Sequence, residues 1–339
     1  MTEQHVVTIG DVARHVGVSP STVSYVLSGR RPISDATRER VLETIRVLGY
    51  HPHAGARALA SNRSNVIALI VPLHTGLYVP VLMQFAISVV TAARAHDHDV
   101  LLLTQDEGDK GLQRVAASAL ADALIVMDVE MHDKRIPLLR SLDRPSVLIG
   151  FPEVATGLTC IDLDFASAGA ACVDHLADLG HHCVALVGSP PVVYERELGF
   201  ARRTAAGFDE ALRRRGLIGT IRPCEPTPDA VLATVQELLR EYPDLTGIVV
   251  HNEPTVAPLL DAFRALDRRV PEDVSVVAIC PDDVAERARP RLTSVSIPAE
   301  EVGRRAVDLV IAKLDGRAVP GATLLAPRLT VRESTGQRA

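Results

Sequence analysis

The sequence predicts an α/β protein in two parts: a small N-terminal module of three helices, and a much larger body of parallel sheets divided into two lobes. Three observations carry this reading. The first fifty residues place apolar side chains at helical spacing between glycine breaks, the next dozen are polar and alanine-rich, and from Val66 onward short apolar runs alternate with helical stretches. A chain of 339 residues is long enough to bury sizeable cores in both parts. Its 47% apolar and 23% charged residues form a globular balance rather than a disordered one.

In the module, Thr8 is placed to cap a first helix, with Asp11 three residues on completing a capping box. Ile9, Val12, Ala13 and Val16 share one face, and Gly17 breaks the helix. Ser19 caps the next, with Pro20 at the first helical position, where its missing N–H costs nothing. Val23, Val26 and Leu27 form its inner stripe. Ser34 and Asp35 open a third helix, Val41, Leu42, Ile45 and Leu48 are spaced for burial, and Gly49 ends it. Three short helices with a tight glycine turn between the first two can dock a helix in the major groove of DNA. An ordinary helical cap on a larger protein remains open on this pattern alone. Residues 52–63 weigh against it. They carry one apolar projection, Leu59, and a lone helix of that length is marginal in water. Two such segments from two subunits can pair in a minor groove, each inserting a leucine between base steps.

Net charge is −6, which argues against nucleic acid until the chain is divided. Residues 1–63 hold eight arginines against five acids, a net of +3, leaving −9 for the rest. A basic head on an acidic body fits a protein whose head alone meets phosphates.

In the body, strands are expected at 66–71, 100–103, 123–127, 146–149, 184–187, 248–250 and 274–279, with helices at 79–95, 166–179, 200–215 and 255–266 among others. Such alternation makes parallel sheets covered on both faces, and so many strands favour two lobes over one sheet. The ligand site of an open α/β sheet lies outside the carboxyl ends of its strands, here the cleft between lobes.

The runs Thr8-Ile9-Gly10-Asp11-Val12-Ala13, Val18 to Ser24, Leu48-Gly49-Tyr50 and Arg57 to Ser61 resemble the lac-repressor (LacI/GalR) family, without a gap over about sixty residues. Weaker matches follow at His175-Leu176 with Leu179-Gly180-His181, Gly207-Phe208, Pro271 to Ser275, and Pro290 with Leu292-Thr293. The resemblance implies a helix-turn-helix head at 1–51, a hinge helix at 52–64, and a type I periplasmic-binding-protein-like core at 65–339. Crossovers near Ile161, Leu292 and Val319 divide that core into an N-lobe (65–161 and 293–318) and a C-lobe (162–292 and 319–333). It also implies that Pro20 and Ser21 read bases, that Thr8, Ser19, Thr22, Ser24, Arg30, His53 and Arg57 belong to the DNA-binding surface, and that Leu59 is the hinge wedge. Tyr25 stands where the family often has Arg, and it cannot make the bidentate contact of Arg to guanine. The operator is therefore expected to depart from the common one. His53 replaces a frequent Asn, and Gly55 weakens the hinge helix by about 1 kcal/mol relative to Ala.

The effector site departs further. Thr204 stands where the family usually has Arg, with Arg202 and Arg203 beside it. Where Gly-Phe-Asp-Asp is common, the chain reads Ala278-Ile279-Cys280-Pro281, and its acids Asp282-Asp283 come two residues later. Candidate effector contacts are Tyr78, Tyr194, Arg202, Arg203, Asn252 and Asp282, a strand-end amide such as Asn252 suiting a hydroxylated ligand. A sugar is the expected effector, a non-sugar ligand or co-repressor the alternative.

No metal or cofactor is expected. His96 to Asp99 falls between a helix and a strand, as a solvated turn does, and His181-His182 fits a structural segment. No dinucleotide, phosphate-loop, zincin or nucleophile-elbow motif occurs, so catalysis is unsupported. The five cysteines are scattered without a Cys-x-x-Cys pair, as reduced thiols of a cytosol are. No apolar run is long enough to span a bilayer and no secretion signal is visible, so no membrane partner is expected. No leucine heptad follows Val331, so a tetramer-forming tail is not expected. The reading is a cytoplasmic homodimeric repressor that binds a near-palindromic operator and is released by a small effector. A transporter's solute-binding protein would share the body, but not the basic head.

Overall fold

The computed structural model describes residues 7–28, 31–50, 63–74, 78–105, 108–118 and 120–338. The head holds α1 (Ile9–Val16), α2 (Pro20–Ser28) and α3 (Asp35–Leu48). Thr8 and Asp11 form the reciprocal capping box, and Gly17 and Gly49 close α1 and α3 in the left-handed region. Ser19 Oγ accepts from Thr22 N–H at 3.2 Å, capping α2. Val12, Ala13, Val16, Val23, Val26, Val41 and Tyr50 make the small core. Two expected core residues are not in it: Leu27 and Leu42 are exposed, because a three-helix core this small is filled by the valines above them.

The body contains two six-stranded sheets. The first is ordered β11-β5-β4-β3-β1-β2, built from β1 (Val66–Ile70), β2 (Asp99–Leu103), β3 (Ala123–Val126), β4 (Ser146–Ile149), β5 (Cys160–Leu163) and β11 (Ala322–Leu325). The second is ordered β12-β10-β9-β8-β6-β7, from β6 (Cys183–Gly188), β7 (Ile218–Pro223), β8 (Gly247–Val250), β9 (Ser275–Cys280), β10 (Thr293–Ser296) and β12 (Leu329–Thr330). All pairs are parallel except β10 with β12. Central strands such as Ala123–Val126 and Gly247–Val250 are buried throughout, hence their unbroken apolar runs. Helices α4 (Val79–Ala95) and α13 (Ala299–Leu314) pack together on the first sheet; α7 (Phe165–Asp178) and α9 (Gly199–Arg215) pack together on the second.

The chain changes lobe after Leu163, after Ser296, and between Leu325 and Leu329. Two of the expected crossovers therefore move. Thr293–Ser296 lies in the second sheet, not the N-lobe, and Ala322–Leu325 lies in the first sheet, not the C-lobe. The strand Thr-Ser-Val-Ser escapes hydropathy because its burial is paid for by hydrogen bonds: Thr293 N–H donates to Ser334 Oγ at 2.8 Å, and Thr293 Oγ1 meets Thr335 Oγ1 at 2.9 Å. The C-terminal tail thus seals this lobe. His181 joins in, its ring nitrogens 2.8 Å from Thr246 Oγ1 and 2.9 Å from Ser275 Oγ, so its role is structural. Asp97 turns the chain with φ 55°, and His98 Nδ1 contacts His96 O at 2.6 Å, the turn expected there. The cysteines are all buried and free. Among the described residues no helix is long and apolar enough to cross a membrane, and no His/Cys/Asp/Glu group suits a metal.

Candidate functional sites: the head and the inter-lobe cleft

On the head, the N-terminus of α2 presents Ser19, Pro20 and Ser21 to solvent, with Thr22, Ser24 and Tyr25 half-buried behind them. An exposed helix start with short polar side chains is the geometry that enters a major groove. Thr8 Oγ1 donates to Asp11 Oδ2 at 2.7 Å, so its hydroxyl serves the cap first. The Arg31 guanidinium lies 5.5 Å from the centre of the Tyr25 ring, a cation–π contact that steadies the ring beside α2. Arg30, His53, Arg57 and Leu59 lie outside the described residues. Tyr25→Arg is expected to shift base preference at the position this side chain faces, by about 1–3 kcal/mol. Selection of binding sites from a random pool checks this, and identical motifs for both proteins would remove Tyr25 from the readout.

Between the lobes lies a cavity of about 320 Å³, within the range of small-molecule sites. Strand ends and helix starts converge on it. Met127 and Asp128 follow β3, Ile149 and Gly150 end β4, Ser189 follows β6, and His251, Asn252 and Glu253 follow β8. Tyr78 and Phe85 come from the start of α4, Phe165 from the start of α7, and Phe200 from the start of α9. The His251 ring stacks on Phe165 at 5.4 Å and meets Phe200 edge-on at 5.6 Å. Burial holds His251 neutral, its pKa lowered to about 4, and its Nδ1 has no hydrogen-bond partner among the described residues.

The cavity's carboxyls are unusual. Asp162 is buried, receives only the Leu163 N–H at 2.9 Å, and burial pushes it up to about 7. Burial likewise pushes Glu253 up to about 7. Asp128 adopts φ 56°, a conformation uncommon outside glycine that aims its carboxylate at the opposite lobe. There Arg196 Nη2 bonds its Oδ2 at 2.7 Å and Glu130 Oε1 at 3.0 Å, and His74 Nε2 lies 3.5 Å from the same Oδ2, while Asp128 Oδ1 is buried without a partner among the described residues.

The same rim carries further bonds between lobes. Gly199 N–H donates to Val129 O at 2.9 Å, Met131 N–H to Glu197 O at 2.8 Å, and Arg203 Nη2 to Pro152 O at 2.9 Å. His132 sits between Glu197 (2.9 Å) and Glu153 (2.7 Å), which raise its pKa above the ordinary value.

The expected effector residues fare unequally. Tyr78 and Asn252 line the cavity. Asn252 does so with its NH₂ already spent, on Gly188 O at 2.9 Å and Cys224 O at 2.8 Å. Tyr194 is not in the wall. Its hydroxyl packs close against Gly188, where a Cβ would lie 2.1 Å away. Arg202 faces solvent, bonding Tyr194 O at 2.9 Å, and Arg203 is held outside the cavity against Phe151 and Pro152. Asp282 is also excluded. It opens α12 (Asp282–Arg287) on the outer side, held by Ser296 Oγ at 3.0 Å and Arg332 at 3.3 Å. β9 itself ends at the buried Cys280, which is not part of the cavity wall either. Sequence reading missed Asp128, Asp162, Phe165, Phe200, His251 and Glu253. The strand-end rule reaches Asp128 and His251, whereas nothing local marks Asp162 or the two phenylalanines, which arrive from helices distant in sequence.

A helical DNA-docking head joined to a two-lobed core with a ligand-sized cleft defines an effector-responsive, sequence-specific transcriptional regulator. Residues 8–53 match bacterial regulatory proteins of the lacI family, and residues 173–335 match the periplasmic binding protein-like domain. The HTH-type transcriptional regulator CelR of Thermobifida fusca is 31% identical over 96% of this chain and 98% of its own. Catabolite control protein A of Priestia megaterium is 28% identical, over 97% and 99%. Among solved structures, the CelR–cellobiose complex covers 97% of this chain and 99% of its own, at 28% identity and a TM-score of 0.68. The lac repressor dimer bound to operator and an anti-inducer covers 98% and 100%, with a TM-score of 0.82 and 24% identity, a likeness of fold. The chain belongs to the LacI family of transcriptional regulators.

Proposed function

We propose that the chain acts in the cytoplasm as a homodimeric repressor of carbohydrate-uptake or catabolic genes, released from a near-palindromic operator when a saccharide enters the inter-lobe cleft, and that it has no catalytic role. The observation that carries this reading is the cleft itself. It combines aromatic faces with buried, unpaired polar atoms at Asp128 Oδ1 and His251 Nδ1, as a hydroxylated ring requires. CelR, similar over nearly the whole chain, has been solved with cellobiose. Because both lobes line the cavity, a ligand there binds the closed and open arrangements with different affinity, and that difference sets how far it can shift the operator-binding state. Near-palindromic operators mirror the two-fold axis of the dimer.

Deleting residues 1–63 is expected to abolish operator binding while leaving a folded dimer that still binds effector. Mobility shift, light scattering and calorimetry check the three parts. A truncated core that stays monomeric or aggregates would overturn the division into head and body.

A further inference from the structure

The cleft has a charge character that narrows its occupant. Its wall includes Asp128, Asp162 and Glu253, and among the described residues no lysine or arginine lines it. Arg196 is engaged by Asp128 Oδ2 and Glu130, and His74 Nε2 lies 3.5 Å from the same Oδ2; Asp128 Oδ1 is buried without a partner among the described residues, on a side chain only 1% exposed. Asp162 and Glu253 have no ion-pair partner among the described residues. The nearest guanidinium to act on Asp162, that of Arg203, is turned toward Pro152 O and the Phe151 ring. Beside these carboxyls stands the aromatic wall of Phe165, Phe200 and the neutral His251 ring.

We propose that the effector is an amino sugar whose protonated amine lies among Asp128, Asp162 and Glu253 and whose ring rests on the aromatic wall. The proposal rests on the reading of the cleft as the effector site. An ammonium brings three hydrogen-bond donors to a place that offers unpaired acceptors, and aromatic faces add to its attraction. An anionic ligand such as a sugar phosphate or sugar acid would enter beside three carboxyls, and among the described residues the one guanidinium bonded to them, that of Arg196, is already engaged by Asp128 and Glu130. A neutral sugar can satisfy Asp128 Oδ1 and hydrogen-bond protonated Asp162 and Glu253, but it gains nothing from their acidity. The amine does: its entry ionises carboxyls that burial keeps protonated near neutral pH, and binding releases protons.

The test is calorimetry on the full-length protein with glucosamine, galactosamine and mannosamine, each against its parent hexose and its N-acetyl derivative, in buffers of differing ionisation enthalpy. The best amino sugar is expected to bind about tenfold or more tightly than both counterparts, the difference of one charge-assisted hydrogen bond. Proton release is expected at neutral pH, and the preference is expected to collapse in Asp162→Asn. Glu253→Gln provides a second variant, and the thermal melt of each verifies that it folds. Equal or tighter binding of the hexoses or N-acetyl sugars, or no binding of any amino sugar, overturns the proposal. Operator titration separates the two readings. A neutral sugar that releases operator sinks the amine and keeps the effector site. An amino sugar that binds in the cleft without changing operator affinity keeps the amine and sinks the switch.

Discussion

Gly207→Ala is expected to cost the core about 3 kcal/mol or more, despite giving α9 a residue with better helix propensity. A Cβ at Gly207 would lie 1.9 Å from the Ala166 carbonyl oxygen and 2.6 Å from its carbon, both backbone atoms of α7. No rotamer relieves such a contact, so one helix has to move. The reverse approach is as close: a Cβ at Gly169 would lie 2.4 Å from Thr204 O. The two glycines therefore set the distance at which α7 and α9 cross. Overpacking a core costs about 1–3 kcal/mol where side chains can give, and more where backbone must shift. The propensity gain of about 1 kcal/mol offsets only part of that. Phe165 begins α7 and Phe200 lies in the first turn of α9, so a displaced crossing also separates the rings of the inter-lobe cavity. Chemical denaturation and ligand calorimetry read the two consequences, and a variant with unchanged midpoint and affinity would show that this crossing tolerates a methyl group.

The second large effect has the opposite sign. Asp162→Asn is expected to stabilise the ligand-free protein at neutral pH by about 2–4 kcal/mol. Burial raises the Asp162 carboxyl from its ordinary 3.8 to about 7, so the folded chain holds this proton more tightly than the unfolded chain. Below about pH 4 both states are protonated and the residue costs nothing. Between about 4 and 7 the unfolded chain gives up its proton first and folding becomes progressively less favourable. Above about 7 the loss is constant, at most about 4 kcal/mol. Asparagine keeps an oxygen for the Leu163 N–H, which now donates to Asp162 Oδ1, and carries no charge. The stability difference between variant and parent should grow from near zero at about pH 4 to a plateau above about pH 7. A difference that is flat with pH, or one favouring the aspartate, would show that Asp162 has a counter-charge in the folded state. A gain in stability at the expense of ligand binding is what a functional site predicts.

Much of the architecture was legible in the chain. The helices expected at 79–95, 166–179 and 200–215, found at 79–95, 165–178 and 199–215, and the strand at 146–149 follow from apolar periodicity, because each buries a whole face or is buried on both. The capping box of Thr8 and Asp11 and the stops at Gly17 and Gly49 are local chemistry, and local chemistry is written in adjacent residues. The strands at 160–163, 218–223, 293–296, 322–325 and 329–330 were not read as strands. They are short, at or near sheet edges, or polar with hydroxyls satisfied by a tail that arrives from far along the sequence. Missing them misplaced the second and third crossovers.

The sequence by itself determined the kind of protein this is: a basic three-helix head and an acidic two-lobed α/β body of the LacI family. Only the tertiary structure decided what the body presents to a ligand. It turned Arg202, Arg203 and Asp282 away, tucked Tyr194 against Gly188, and brought Asp128, Asp162, Phe165, Phe200, His251 and Glu253 to one cavity. The physical reason is one of range. Caps, turns and amphipathic faces arise from residues a few positions apart, whereas a cleft wall is assembled by three lobe crossings from segments as far apart as Tyr78 and Ile297.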